Sequence, residues 1–281
     1  MAQLTNPQLS DYEVNGYLCP LAGIDANAAE KARQDVLSFG ATSGINLARD
    51  FRGKSFLRLM SLSRIAHSSA ILDAVESLIG PNILCYYGSL FMKSPNDAAG
   101  SVPWHQDGGY FSQDSDGLAT AWVALSDSTV ENGAMRVIPG SHKERRLHGE
   151  VDGAGETLFY DTKEQLLGDV DESQAIHLLL KQGQVSFHHP DIVHASSPNK
   201  TGSWRIGMAL RYVTPHYNLI DYTMGARSTA LLMRGVNDGD VFETVAAPRF
   251  DEDPKMLDVI ARDAEQDEKL VVQHVDSLET A

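Results

Sequence analysis

Basic residues are scarce: 23 Lys and Arg stand against 38 Asp and Glu in 281 residues, a formal net charge of −15. A field of that sign repels polyanions, so nucleic acid and anionic membrane surfaces are excluded as general partners. Cysteine is nearly absent, with Cys19 and Cys85 alone. That is too few for the disulfide framework of a secreted protein, and the reducing cytoplasm is the expected compartment. No stretch reaches the roughly 18 uninterrupted apolar residues of a spanning helix, and residues 1–16 lack the basic start and apolar run of an export signal. Internal repeats and low-complexity tracts are also missing. What is present is ordinary for a globular protein: 42% hydrophobic and 22% charged residues, with 23 Gly and 11 Pro to punctuate a loop-rich fold.

The texture changes along the chain. Thr5 to Tyr17 reads as a short capped helix stopping at Gly16, and Asn27 to Phe39 and Ser68 to Ile79 as two more, the last ended by Gly80-Pro81. Beyond Pro81, short apolar runs between Gly, Pro, Asn and Asp predict strands over 83–92, 120–125, 135–138, 175–180, 185–187 and 205–213. The expected architecture is mainly β, a sandwich or barrel with flanking α-helices. It forms a single domain over 1–281, with a helical part of about 1–80, a β core of about 81–215 and C-terminal decoration of about 216–281. Residues 148–172 are polar and without clear periodicity, the pattern of a lid hinged at Gly149, Gly153 and Gly155. A surface helix is expected from Pro254 to Leu270.

The string Trp104-His105-Gln106-Asp107 carries the chemistry. On an extended segment His105 and Asp107, two apart, point to the same side, where both can grip one ion. A second string, Phe187-His188-His189-Pro190-Asp191-Ile192-Val193-His194, offers three further imidazoles. Two imidazoles and one carboxylate on one face of a metal leave the other face open, the arrangement of non-haem Fe(II) oxygenases. Arg205 follows His194 by eleven positions and opens an alternating strand, where a guanidinium can clamp a dicarboxylate.

With these strings, the segment Val130-Glu131-Asn132-Gly133-Ala134-Met135-Arg136-Val137-Ile138-Pro139-Gly140-Ser141-His142-Lys143 resembles the phytanoyl-CoA-dioxygenase-like Fe(II)/2-oxoglutarate oxygenases. The resemblance covers most of the chain. It implies a double-stranded β-helix (jelly-roll, cupin-like) core, with Fe(II), 2-oxoglutarate and O2 as cofactors and cosubstrates. It also implies roles for single residues: His105, Asp107 and His194 as iron ligands, Arg205 on the distal carboxylate of 2-oxoglutarate, and Thr120 and Trp122 on the cosubstrate wall. The family's spacing to Arg205 favours His194 over His188 and His189, which are expected to line the turn into the strand. Asn82 to Tyr86 and His194 to Pro198 are similar to the branch containing non-haem iron halogenases. Those enzymes have a small residue where this chain has Asp107, so the resemblance implies hydroxylation; the expected substrate is a small polar metabolite, of the amino acid, aminoalkylphosphonate or quaternary amine type.

Tyr110 and Arg211 are the candidate substrate contacts, Arg211 lying on the face of Arg205; a salt-bridged structural role is the alternative for Arg211. Arg49, Arg52, Lys54, Arg58 and Arg64 form either a solvated face paired with acidic neighbours or an anion-attracting mouth, a role Arg227 and Arg234 can also serve. Small-molecule substrates are expected, with no nucleic acid or membrane partner. The competing readings are another oxidative outcome (halogenation, desaturation or cyclisation) and a non-catalytic metabolite-binding β-sandwich.

Overall fold

A computed structural model describes residues 3–45, 53–97, 100–108, 116–146, 148–150, 158, 164–166, 168–217 and 228–265. Helix α1 (Asn6–Asn15) opens with a capping box between Thr5 and Gln8 and ends at Gly16, whose φ of 79° only glycine adopts readily. Tyr17 does not end that helix as its spacing suggests; it begins strand β1 (Tyr17–Ala22). Helix α2 (Ala26–Ser43), capped by Asp25, is followed by α3 (Met60–Ala66), which the sequence reading missed, and α4 (Ser69–Ile79).

The strands then run β2 (Ile83–Lys93), β3 (Val102–His105), β4 (Leu118–Ala124), β5 (Met135–Val137), β6 (His148–Glu150), β7 (Glu164–Leu166), β8 (Ile176–His177), β9 (Gln184–His188), β10 (His194–Ser196), β11 (Arg205–Val213), β12 (Ser228–Arg234) and β13 (Phe242–Val245). Seven form one sheet in the order β1-β9-β4-β11-β2-β12-β13, and four form a second in the order β3-β10-β5-β8. The crossing order of these two sheets is that of a double-stranded β-helix core with flanking helices. The expected strand at 175–180 shrinks to two residues and an isolated bridge between Ser128 and Leu180. Within 148–172, β6 and β7 pair as a short antiparallel ladder. Of the rest of that expected lid, residues 158 and 168–172 are described; the others, Gly153 and Gly155 included, lie outside the described residues, as do Tyr110, Arg49, Arg52, Arg227 and the end of the C-terminal helix, which is described over 254–265.

Alternation along β11 separates the two sides of the large sheet. Ile206, Met208, Leu210 and Tyr212 enter the main apolar core with Ala29, Ala32 and Val36 of α2, Leu62 and Ile65 of α3, and Ile71, Leu72 and Val75 of α4. Arg205, Gly207, Ala209 and Arg211 face the opposite way, toward the small sheet. Covered on both sides, every residue of β11 is buried. No helix among the described residues is long and apolar enough to cross a membrane.

Of the basic cluster, Lys54 and Arg58 are paired with acids, while Arg64 is exposed. Lys54 is buried, 2.9 Å from Asp263 and hydrogen-bonded to the carbonyls of Tyr86 and Thr229. Arg58 pairs with Glu252, and Arg234 with Asp73 and Glu76. None of the three lines the central cavity, and each ties a C-terminal segment to the helical layer.

Candidate active site

Between the two sheets lies a cavity lined by His105, Asp107, His188, His194, Arg205 and Arg211, with Phe91, Trp122, Met135 and Ala209 as its apolar walls. His105 closes β3 and His194 opens β10, opposite one another in the antiparallel ladder, and their ring centroids are 3.9 Å apart. Between His105 and Asp107, the Gln106 side chain donates to the carbonyls of Glu144 and Asp191 and accepts from Arg146 N. The turn carrying Asp107 is thereby fastened to the segment that leads into β10.

His105, Asp107 and His194 each offer one ligand atom within 4.8 Å of the others, and all three are buried. Nδ1 of His105 donates to Pro103 O at 2.9 Å and Nδ1 of His194 to Ile192 O at 3.0 Å. A carbonyl only accepts, so these bonds select the tautomer whose bare Nε2 faces the centre. Burial and the neighbouring His105 push the His194 imidazolium well down, keeping that ring neutral. Burial works against the Asp107 carboxylate, but Arg211 and the surrounding imidazoles outweigh it and hold the group well below the usual carboxylate range. Two neutral imidazoles and one anionic carboxylate form the donor set a divalent first-row cation takes, so the residues fit an Fe(II) ion.

At the other end of the cavity Arg205 Nη2 donates 2.9 Å to Gly133 O, while its Nε is buried without a partner among the described residues. The Asn132-Gly133 turn explains the long signature in the sequence. Asn132 ties Thr129 N to Asp127 O, and Gly133 has φ of 81°, where a Cβ would lie 2.1 Å from Ser197 O. Trp122 lies against Arg205, 5.4 Å from guanidinium to ring, over Gly207, where a Cβ would lie 1.9 Å from the indole. Thr120 is fully buried on the same face.

Sequence reasoning missed Lys93. It pairs in register with Arg205, is fully buried, and donates to Ser196 Oγ at 2.7 Å and to Ser197 O. Burial and the nearby Arg205 push its ammonium down to about 6. The Arg205 guanidinium beside the Trp122 indole, with the Lys93 amine opposite it in register, suits the distal carboxylate of a dicarboxylic acid. His188 corrects the expectation that it lines a turn: it closes β9 and faces the cavity. His189 is the residue that turns away, packing between Tyr12 and His142. Arg211 lines the cavity, yet its Nη2 is 2.9 Å from Asp107 Oδ2, so the salt-bridged alternative is realised inside the site. Both cysteines are free, Cys85 being buried.

The chain is similar to the human peroxisomal phytanoyl-CoA dioxygenase, 29% identical over 244 residues that cover 78% of this chain and 71% of that protein. It is also similar to a probable alpha-ketoglutarate-dependent hypophosphite dioxygenase of Stutzerimonas stutzeri, 27% identical over 139 residues, spanning about half of each (50% and 48%). Among solved structures, the apo non-haem monooxygenase ThoJ matches with a TM-score of 0.81 and 31% identity over 96% of this chain and 99% of that one. CytC3, solved with Fe(II) and alpha-ketoglutarate, shares the fold at a TM-score of 0.64 and 21% identity, over 89% of this chain and 97% of its own. The family model for phytanoyl-CoA dioxygenase (PhyH) matches residues 6–207, and the chain belongs to that family.

Proposed function

We propose that the chain hydroxylates a C–H bond of a small polar metabolite, of the amino acid, aminoalkylphosphonate or quaternary amine type, while 2-oxoglutarate is decarboxylated to succinate and CO2. The chain is an iron- and 2-oxoglutarate-dependent dioxygenase of the PhyH family, and Fe(II), 2-oxoglutarate and O2 are its cofactors and cosubstrates. The observation that carries the reading is the presence, in one cavity, of the His105–Asp107–His194 donor set and Arg205, which pairs in register with the buried Lys93.

His105, Asp107 and His194 would hold the iron, which when bound with 2-oxoglutarate and O2 supplies the oxidising power for C–H attack. The protein's own residues prepare the rest. Arg205 and Lys93 hold the distal carboxylate, and the orphaned Nε of Arg205 gains an acceptor. Trp122, Phe91, Met135 and Ala209 exclude water from the space between that carboxylate and the metal ligands. Asp107, fixed by Arg211, fills the position that the resembling halogenases leave small, which supports hydroxyl rather than halide transfer. Residues 109–115, with Tyr110, adjoin this motif in sequence, and Tyr110 remains the proposed substrate contact. The single-domain organisation over 1–281 and a cytoplasmic location complete the reading.

The test is anaerobic loading with Fe(II) and 2-oxoglutarate, exposure to O2 with a panel of amino acids, aminoalkylphosphonates and quaternary amines, and mass analysis of products. Succinate formed in proportion to a product bearing one added oxygen is expected. A chlorinated or desaturated product would replace hydroxylation with that outcome, and no 2-oxoglutarate consumption would leave a binding protein.

A further inference from the structure

His188 is a cavity-facing imidazole that the ligand set leaves over. Its backbone pairs with Tyr17 of β1 on one side and Thr120 of β4 on the other, so it is held from both edges. The side chain is 1% exposed, and its Nε2 lies 3.7 Å from Asp107 Oδ2. Oδ2 also receives Arg211 Nη2 at 2.9 Å, whereas Oδ1 faces His105 Nε2 at 3.6 Å. Arg211, Thr120 and His188 occupy successive register positions on the adjacent strands β11, β4 and β9. The two groups flanking Oδ2 therefore belong to one stretch of paired backbone. At 3.7 Å this is an electrostatic contact rather than a formed hydrogen bond; a carboxylate oxygen only accepts, so the tautomer it favours carries Nε2–H toward Oδ2 and the lone pair on Nδ1, which has no partner among the described residues.

We propose that His188 is a positioning residue of the metal centre, fixing Oδ2 together with Arg211 so that Asp107 offers Oδ1 alone to the cation. The proposal rests on the ligand set read above. Its physical reason is a count of positions. A carboxylate turning about its Cβ–Cγ bond can bind through one oxygen or two. Two imidazoles and one oxygen occupy three sites of an octahedral ion, leaving three for a chelating cosubstrate and O2; a second carboxylate oxygen would take one of those. Partners that orient a ligand commonly change metal affinity by about 10–100-fold.

The experiment uses the full chain, stripped of metal and titrated with Co(II), whose visible absorption reports coordination. H188F keeps a ring without a donor, and H188Q keeps an N–H near the place of Nε2. The expected result is that H188F binds Co(II) about 10–100-fold more weakly with altered absorption bands, and that H188Q restores both. Wild-type affinity and bands in H188F would overturn the proposal, as would an H188Q as defective as H188F with an unchanged melting temperature. Should H188F fail to fold, H188M replaces it under the same criteria. H105A provides the separation: it is expected to lose Co(II) binding, and stoichiometric binding in H105A would overturn the ligand set itself.

Discussion

Arg211 Nη2 lies 2.9 Å from Asp107 Oδ2 with both side chains buried, so the anion of the site is paired before any metal arrives. Burial weakens the Arg211 guanidinium, but the facing carboxylate more than compensates and raises it, as it holds Asp107 ionised. A buried pair of this kind adds little net stability, yet losing one partner strands the other charge.

R211M should therefore destabilise the metal-free protein by about 3–5 kcal/mol. The double variant R211M/D107L, which removes both charges, should regain most of that loss while binding no metal. Thermal denaturation of the apo proteins checks this; equal melting of R211M and wild type would show that the pair carries no such strain.

Gly207 allows Trp122 to lie across β11 beside Arg205. In G207A the new methyl occupies the indole's space, and overpacking of this sort costs about 1–3 kcal/mol. The expected readouts are a lower melting temperature, shifted tryptophan emission and weaker 2-oxoglutarate binding. Wild-type emission in G207A would mean that the indole does not rest there.

The site was legible where its logic is local. His105 and Asp107 stand two apart, and β11 alternates so cleanly that its bounds, Arg205–Val213, are those expected from the sequence. Lys93, His188 and Gly207 enter only through register: Arg205 opposite Lys93, Thr120 opposite His188, Gly207 between β4 and β2. No single segment records which strands become neighbours. Strands β3 and β10, four and three residues long, are too short to show a period. In the cation cluster Lys54 and Arg58 have the acidic partners expected of them, but those acids, Asp263 and Glu252, lie near the far end of the chain, and Lys54 is buried rather than solvated.

His189 sits between Tyr12 and His142, and burial pushes it down from its ordinary 6.5 to about 4. The unfolded chain takes up that proton near pH 6.5 and the fold resists it until about 4. Stability associated with His189 is thus fully present above pH 6.5 and lost as pH falls toward 4, by roughly 3 kcal/mol at most. Denaturation of the metal-free protein across this range should show a decline that H189Q flattens by up to one proton. An unchanged slope in H189Q would assign the acid sensitivity to other groups.

Cosubstrate binding is predicted to be coupled to proton uptake by Lys93. Its ammonium is pushed down from 10.5 to about 6 by burial and by Arg205, so at neutral pH and above the empty site holds mostly the neutral amine. A dicarboxylate seated against Arg205 brings the negative charge that favours the ammonium, and Lys93 then takes up a proton. Because the proton is bound in the complex and absent from the free protein, affinity should fall as pH rises above about 6. Calorimetry of 2-oxoglutarate binding to the metal-loaded, oxygen-free protein in two buffers of different ionisation enthalpy measures the uptake directly. Up to one proton is expected near pH 8 and none in K93M, whose affinity should be lower and flat with pH. R205A removes the other cation, weakening binding by about 2–5 kcal/mol, and it also removes a charge that depresses Lys93, so its proton uptake should be smaller than wild type. Equal uptake in wild type and K93M would place the titrating group elsewhere and leave Arg205 alone to hold the distal carboxylate.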